Sequence, residues 1–495
     1  MEKTYSLSKQ AFIISFGKTI NRLAALFAIM YLSYNLSKDI YGSYRQVWLL
    51  FNTLVPILSI GIPISVNYFI PLLKDSQRKY FVFQTYALLC ILGFLFSLIM
   101  FFGASSFSIL FENPEVFHLI KYFSIIPFLC LPTLFYQNLF VCLNNPLLAT
   151  KVSLFSSVTY LSAIIIPIYY GYSISDMIII LTYYYLIQFL LIGFLIYRMF
   201  KNIEMQYSFG LIKKQIYYAV PVGLTAAIGI ISMSVDKIFI SSFFTTEEFA
   251  EYANGAMELP FIGIITGSIM AVLMPKFVTL YNSDDIVSLI RIWKSSIRKV
   301  AFMFFPLMCI LFIFSEQLII LFFSEKYLES VDIFRIYLLQ LPCRITIFGI
   351  VLLSINQTSF VLKSTLLYLI FNISLNFILI KSLGIVGPAI ATIISLYFIS
   401  FLQLEKISFH MNSKISQILP WSYLGKILVI SIFAGFIIYQ FNIFILNQYL
   451  SIELVDNIIR IFIGGASYII LFIWMCLITK TSNKENILKY INNVN

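Results

Sequence analysis

The chain alternates long apolar stretches with short polar connections along almost its whole length. Most stretches reach about 20 residues, the length that an α-helix needs to cross a bilayer. Strands of an outer-membrane barrel would instead be about 10 residues long, with alternating polar and apolar positions. The pattern predicts fourteen transmembrane helices, near residues 11–34, 40–73, 80–103, 117–143, 150–171, 175–200, 217–243, 251–275, 300–322, 331–355, 361–380, 385–405, 426–446 and 457–479.

Composition supports a membrane protein. Of the 495 residues, 60% are hydrophobic and 11% are charged, whereas soluble domains are about 45–50% apolar and about 25% charged. We therefore predict an all-α polytopic membrane protein. The first apolar stretch is long enough to span, so we expect a helix there and not a cleaved leader. The sequence contains no nucleotide-binding loop, nucleophile elbow or metal motif, so we expect neither an enzyme nor a cofactor.

The net charge of +11 follows the predicted topology. If the N-terminus is cytoplasmic, most of the 33 lysines and arginines lie in inner loops, and the outer loops carry only Lys38, Lys326 and Lys381. The positive-inside rule then places both termini in the cytoplasm. The basic balance therefore requires no nucleic-acid partner.

A weak internal repeat suggests how the chain is divided. IYGSY (40–44) precedes a helix that ends in GIPISVNYF (61–69), and FAEYANG (249–255) precedes a helix that ends in VLMPKFV (272–278). Six helices separate the copies, so the repeats would be parallel, as in one class of transporters. We predict an N-terminal bundle at 1–210, a second bundle at 211–415, and a helix pair with a cytoplasmic tail at 416–495. We expect the basic loop at 276–299 to contain a helix lying on the membrane surface.

Several motifs then resemble a known family. They are YGSYRQVWLLFNTLVPILSIGIPISVNYFI (41–70), DKIFI (236–240) followed by the FAEYANG motif, and ILIKSLGIVGPAIATIIS (378–395). In this order and spacing they resemble the polysaccharide-transporter branch of the multidrug/oligosaccharidyl-lipid/polysaccharide exporter superfamily. The resemblance implies two six-helix bundles around a central cavity, alternating access, and outward flipping of undecaprenyl-diphosphate-linked oligosaccharides across a bacterial inner membrane.

Four basic residues within predicted helices are candidates for binding the substrate diphosphate. Lys18 and Arg22 share a polar stripe with Asn21 on the first helix, and Arg45 lies on the second. At different depths these three would form a cationic ladder, in which arginine offers a bidentate fork and lysine a point charge. Alternatively, Lys18 and Arg45 extend to nearby headgroups. Arg344 is the candidate in the second bundle.

The other intramembrane bases have simpler interpretations. We expect Arg335 to pair with Asp332 or to reach the outer surface, and Lys121 and Arg460 to anchor helix ends at the membrane interface.

The coupling-ion candidates are Asp236, Asn372, Asn376 and Thr392, which lie about 6–12 Å below the predicted outer helix ends. Some superfamily members similarly use an acid on helix 7 and polar groups on helices 11 and 12 to bind sodium. Such sodium sites can carry a second acid, but Asn376 is neutral. The coupling species is therefore either Na⁺ or a proton carried by Asp236. An ion pair of Asp236 with Lys237 is expected to be poor, since adjacent helix residues point about 100° apart.

Glu258 is a further coupling candidate; it would titrate, balance Arg22 or Arg344, or close the cavity. We therefore predict a cation-coupled flippase for O-antigen, capsule or a related polymer. Its partners would be the lipid-linked oligosaccharide, membrane lipids, and a polymerase and glycosyltransferases of the same pathway. The alternatives are a multidrug antiporter of the same superfamily, whose cavity should favour acids, and a membrane scaffold of an assembly complex.

Overall fold

A computed structural model describes residues 7–208, 210–257, 259–442, 454–479 and 481. In this part of the chain the regular structure is helical and includes no strand, so the predicted all-α class is confirmed. Contacts divide the chain into two compact units, Met1–Ala250 and Glu251–Asn495. The units are described separately.

The first unit holds ten α-helices in its described residues, and an eleventh begins in it. They are α1 (Leu7–Asn35), α2 (Lys38–Leu58), α3 (Ile62–Phe69), α4 (Asp75–Leu110), α5 (Pro114–Phe123), α6 (Ile126–Cys130), α7 (Tyr136–Cys142), α8 (Pro146–Tyr169), α9 (Ile174–Phe200), α10 (Gly210–Phe243) and α11 (Thr246–Gly255).

The described residues of the second unit continue the helical pattern after α11. Their helices are α12 (Pro260–Asn282), α13 (Ile286–Ile313), α14 (Ser315–Phe323), α15 (Ser330–Leu338), α16 (Leu341–Thr346), α17 (Phe348–Ser354), α18 (Thr358–Leu383), α19 (Gly387–His410), α20 (Ile415–Ile418), α21 (Trp421–Phe441) and α22 (Leu454–Ile478).

Eleven helical stretches in the described residues are long and apolar enough to cross a membrane, and the bent pair Lys38–Leu58 and Ile62–Leu72 would make a twelfth. One of these stretches, Thr358–His410, contains both α18 and α19. Each of the fourteen predicted segments overlaps helical residues. The polytopic membrane class is therefore confirmed, and fourteen is an approximate count.

Several predicted helices are broken. Between α2 and α3 the backbone of Ile60 and Gly61 is left-handed, with φ of 50° and 69°, and the chain bends by 42°. Ile62 then begins α3, and Pro63 lies in its first turn, where the missing N–H costs no hydrogen bond. The predicted helix 251–275 is likewise divided, because α11 ends at Gly255 and Pro260 begins α12.

Helix α10 packs within the first unit through its backbone and two buried amides. A Cβ atom on Gly61 would lie 2.5 Å from the carbonyl oxygen of Ala219, so the α2–α3 break lies directly on α10. Near its start, the buried Gln215 accepts a hydrogen bond from Gln84 at 2.8 Å. Near its end, Ser241 accepts one from Gln46 of α2 at 2.9 Å. The contact-based division thus falls after α10, whereas the predicted division precedes it; the three-part division stays a prediction.

The basic segment 276–299 consists of the ends of two long helices. Helix α12 extends to Asn282, and α13 begins at Ile286 after a short turn. The first turns of α13 bury Leu289, Trp293 and Ile297. The expectation of a separate surface helix is therefore wrong, because this apolar face packs within the second unit.

Candidate functional site

Helix α1 packs on α8 through a narrow face. The Thr150 hydroxyl donates a hydrogen bond to the Ile13 carbonyl at 2.8 Å, and Ser157 donates to the Asn21 side chain. A Cβ on Gly17 would lie 3.3 Å from the Thr150 Oγ1 atom. Asn21, predicted to share the stripe of Arg22, therefore points towards α8.

Lys18 and Arg22 lie away from this face. They are four residues apart, so they share one side of α1, and both are exposed. Neither side chain makes a hydrogen bond or an ion pair with the described residues. Arg22 is near the middle of the 29-residue helix, about 20 Å from each end at 1.5 Å per residue. The structure thus distinguishes these two cations from the other deep basic residues, which have protein contacts.

Arg45 and Arg344 are both half-buried. The Nη1 atom of Arg45 donates to the Tyr41 hydroxyl at 2.6 Å, and the guanidinium lies 5.5 Å from the centroid of that ring. Arg344 donates to the Gln340 side chain at 3.4 Å and precedes the left-handed residue Ile347, at which α16 ends. Lys18, Arg22 and Arg45 lie in the first unit and Arg344 in the second, so the diphosphate ladder stays a prediction.

Asp236 is a buried carboxylate on α10. It is 1% exposed, and its Oδ2 atom lies 3.6 Å from the Nζ atom of Lys237. The expectation that these neighbours cannot pair well is wrong, because the flexible lysine stem folds back over the 100° between them. Asp236 therefore has a basic neighbour, whose charge a coupling ion would have to compete with.

The remaining oxygen candidates cluster where α18 meets α19. Asn376 donates to the Asn372 carbonyl at 2.8 Å and to the Asn372 side-chain oxygen at 2.9 Å, and Asn372 donates to the Thr392 hydroxyl at 3.3 Å. The buried Oδ1 atom of Asn376 makes no hydrogen bond with the described residues. These three side chains are together in the second unit, Asp236 belongs to the first, and Glu258 lies outside the described residues.

The remaining basic residues divide into three cases. Arg335 lies 3.5 Å from Asp332, as predicted, and also 3.0 Å from Glu316. Lys121, in the last turn of α5, lies 3.6 Å from the centroid of the Phe101 ring. Arg460 is only 7% exposed. Its expected role as an interfacial anchor is therefore wrong, because the side of α22 that carries it packs inward.

The sequence reasoning missed a set of uncharged polar side chains in the first unit. Helix α8 carries hydroxyls at 153, 156, 157 and 160, a spacing that places them on one helix face. That spacing was the available signal, but serine is unremarkable in an apolar helix unless its partners on other helices are known. Among the described residues, no group of three or more His, Cys, Asp or Glu side chains could hold a metal ion.

The fold of the chain is similar to that of several solved membrane transporters. The solved structure of the lipid II flippase MurJ in an inward closed conformation matches with a TM-score of 0.71 and 16% identity, over 94% of this chain and 99% of that chain. A multidrug resistance MATE family transporter of the MOP superfamily, in an inward-facing conformation, matches with a TM-score of 0.67 and 14% identity, over 79% and 94%. A MOP superfamily transporter from Pyrococcus furiosus gives 0.59 and 14%, over 82% and 95%. At these identities the likeness is one of fold.

The family follows from the sequence itself. The family model described as Polysaccharide biosynthesis protein matches residues 36–332, which is more than half of the chain, and the protein belongs to that family. No curated protein sequence gives a significant match. The predicted membership of the polysaccharide-exporter branch is thus confirmed.

Proposed function

We propose that the protein is a flippase that moves undecaprenyl-diphosphate-linked oligosaccharide repeat units outward across a bacterial inner membrane, for O-antigen, capsule or a related polysaccharide. The observation that carries this proposal is the exposed cation pair Lys18 and Arg22, in the middle of a 29-residue helix that the sequence predicts to cross the membrane. The chain belongs to a polysaccharide-biosynthesis family. Charges at membrane depth cost about 2.5–3.5 kcal/mol each on insertion scales and usually mark a substrate path. An anionic substrate would offset that cost.

The basic residues have distinct roles in this proposal. Arg22 and Lys18 bind the diphosphate, with the arginine fork giving directional hydrogen bonds and the lysine a mobile point charge. Arg45 is held by Tyr41, so its positive charge would act from a fixed position. Arg344 is the proposed substrate-binding cation of the second unit. The undecaprenyl chain stays in lipid. The family match favours a sugar-carrying anion over the lipophilic cations of a drug antiporter.

Coupling to Na⁺ or H⁺ is the second part of the proposal. Asp236 is the buried carboxylate that would bind the ion, and protonation or Na⁺ binding would weaken its interaction with Lys237. In the second unit, the Asn376 side-chain oxygen is an uncommitted neutral ligand beside Asn372 and Thr392. Oxygen donors of this kind suit hard monovalent cations. Glycosyltransferases would supply the lipid-linked oligosaccharide, and a polymerase would consume it outside.

The direct test is transport in vesicles of defined lipid composition. The full-length protein is reconstituted with fluorescently labelled undecaprenyl diphosphate–N-acetylglucosamine, and an impermeant quencher reports the probe in the outer leaflet. We expect the protein to speed the loss of protected probe, and Arg22→Ala to slow it. The antiporter would be favoured instead if the protected probe were lost no faster than from protein-free vesicles and the protein exported a lipophilic cation.

A further inference from the structure

The first unit contains a stripe of hydroxyls that does not face lipid. The stripe lies on one side of α8 and consists of Ser153, Ser156, Ser157 and Tyr160. The exposed residues Leu154, Phe155 and Val158 lie on the opposite side of the same helix. The apolar side suits lipid tails, so the hydroxyls belong to the interior of the unit.

Three amide side chains from other helices reach this stripe. The Gln137 Nε2 atom donates to Ser153 at 3.1 Å, and the Gln188 Nε2 atom donates to Ser156 at 3.2 Å. The side-chain oxygen of Asn21, on α1, accepts a hydrogen bond from Ser157. We call these six side chains the hydroxyl–amide belt: Asn21, Gln137, Ser153, Ser156, Ser157 and Gln188.

Each amide of the belt keeps one polar end available. Among the described residues, the Asn21 Nδ2 donor and the Oε1 acceptors of Gln137 and Gln188 make no hydrogen bond, and all three side chains are half-buried. These ends are accessible, unlike the Oε1 atom of Gln84, which also makes no hydrogen bond with the described residues but is buried. Two acceptors and one donor are therefore available to a polar ligand.

Two tyrosines continue the belt. The ring centroids of Tyr160 and Tyr184 are 5.6 Å apart, and both side chains are half-buried. Tyrosine combines a large apolar face with a polar end. Such a pair suits a ligand that has both C–H faces and hydroxyl groups.

We propose that the hydroxyl–amide belt, with Tyr160 and Tyr184, is a binding site for the uncharged sugar residues of the substrate. This inference rests on the proposed function and adds a division of roles within the first unit. None of the eight side chains is charged at neutral pH, so the site provides hydrogen bonds and ring faces without a counter-ion for an acidic sugar. Lys18 and Arg22 lie at the same level of α1 as Asn21 but on another side of the helix, so one helix would carry the diphosphate contacts and a sugar contact on neighbouring sides.

The test separates sugar binding from diphosphate binding. Native mass spectrometry of the full-length protein would compare three probes: undecaprenyl diphosphate, the same lipid carrying N-acetylglucosamine, and the same lipid carrying a uronic acid. The variant Gln137→Met/Gln188→Met removes both available acceptors at nearly constant side-chain length. As a control, Gln84→Met removes a buried interhelical hydrogen bond outside the belt. Unfolding temperature is measured for every variant.

We expect the double variant to bind the N-acetylglucosamine lipid about three- to ten-fold more weakly per lost amide, with unchanged affinity for the bare diphosphate. The control should lower the unfolding temperature without this selective loss. Equal losses for both lipids, or no loss, would overturn the sugar site, as would wild-type protein that prefers the uronic acid. Wild-type protein that binds none of the probes would overturn the proposed function, and this site with it.

Discussion

Replacing Arg22 with alanine should separate substrate binding from folding. Arg22 makes no hydrogen bond or ion pair with the described residues, so its removal breaks no polar interaction of the folded protein. Its guanidinium is about 20 Å from either end of α1, which is too far to reach headgroups by extending. We therefore expect Arg22→Ala to insert and fold normally but to lose translocation.

The size of the effect follows from the chemistry of the pair. A hydrogen bond to a charged group contributes about 1.5–3 kcal/mol, and each 1.4 kcal/mol is about a tenfold change in Kd. Losing the guanidinium should thus weaken binding of undecaprenyl diphosphate about 10- to 150-fold. The unfolding temperature of the ligand-free protein should stay the same or rise, since an uncompensated charge at membrane depth costs about 2.5–3.5 kcal/mol. Arg22→Lys should recover part of the affinity, because it keeps the charge without the fork.

The assay is lipid binding by native mass spectrometry, together with thermal unfolding in the same detergent. Lys121→Ala is the matched control: it removes one positive charge from the same unit, at a residue packed over the Phe101 ring. That variant should bind the lipid normally. The reasoning is refuted if Arg22→Ala binds and flips the lipid as well as the control does, or if it unfolds at a markedly lower temperature.

Three further predictions test other parts of the structure. Transport by Asp236→Asn should no longer depend on Na⁺ or pH gradients; unchanged dependence on both would exclude Asp236 from coupling. Gly223→Ala should lower the free energy of unfolding by about 1–3 kcal/mol, because its Cβ would meet backbone at 2.4 Å, whereas Gly229→Ala, with nothing within 4 Å, should not. Hydrogen bonds from Ser288 lower the pKa of Asp285; this cap of α13 is present above the unfolded pKa of about 3.9 and is lost as pH falls through the lower folded pKa. Hydrogen-exchange protection in the first turn of α13 should therefore fall as the pH is lowered. Protection that does not change with pH would contradict a role for Asp285 as the cap.

The helices could be predicted because a membrane leaves few alternatives. An apolar stretch in lipid must satisfy its own backbone hydrogen bonds, so length and hydropathy are nearly sufficient to locate each helix. The breaks between helices cannot be located in the same way. Pro63 and Pro260 lie in the first turns of new helices, whereas Pro221 and Pro306 lie inside continuous ones. What distinguishes them is the surrounding packing, such as the contact of Gly61 with α10, and packing is not written in a local stretch of sequence.

The candidate site shows the same limit. Charges in apolar helices are conspicuous, so Lys18 and Arg22 could be selected from the sequence, and the structure leaves both exposed. Arg460 was assigned to the interface from its position near a helix end, but the rotation of that helix buries it. Asp236 was expected to point away from Lys237, but a long flexible side chain is poorly described by the direction of its Cβ.

The packing of α10 also determines where the gene could be divided. Its amide contacts with α4 and α2, and its backbone contact with the α2–α3 break, all lie within the first unit. A split between α9 and α10 would give an amino-terminal fragment in which Gln84 and Gln46 had lost their partners on α10. A split in the turn between α10, which ends at Phe243, and α11, which begins at Thr246, would keep all of these contacts in one polypeptide without cutting a helix. Split-gene complementation should therefore tolerate this later cut better than one at the boundary suggested by the internal repeat.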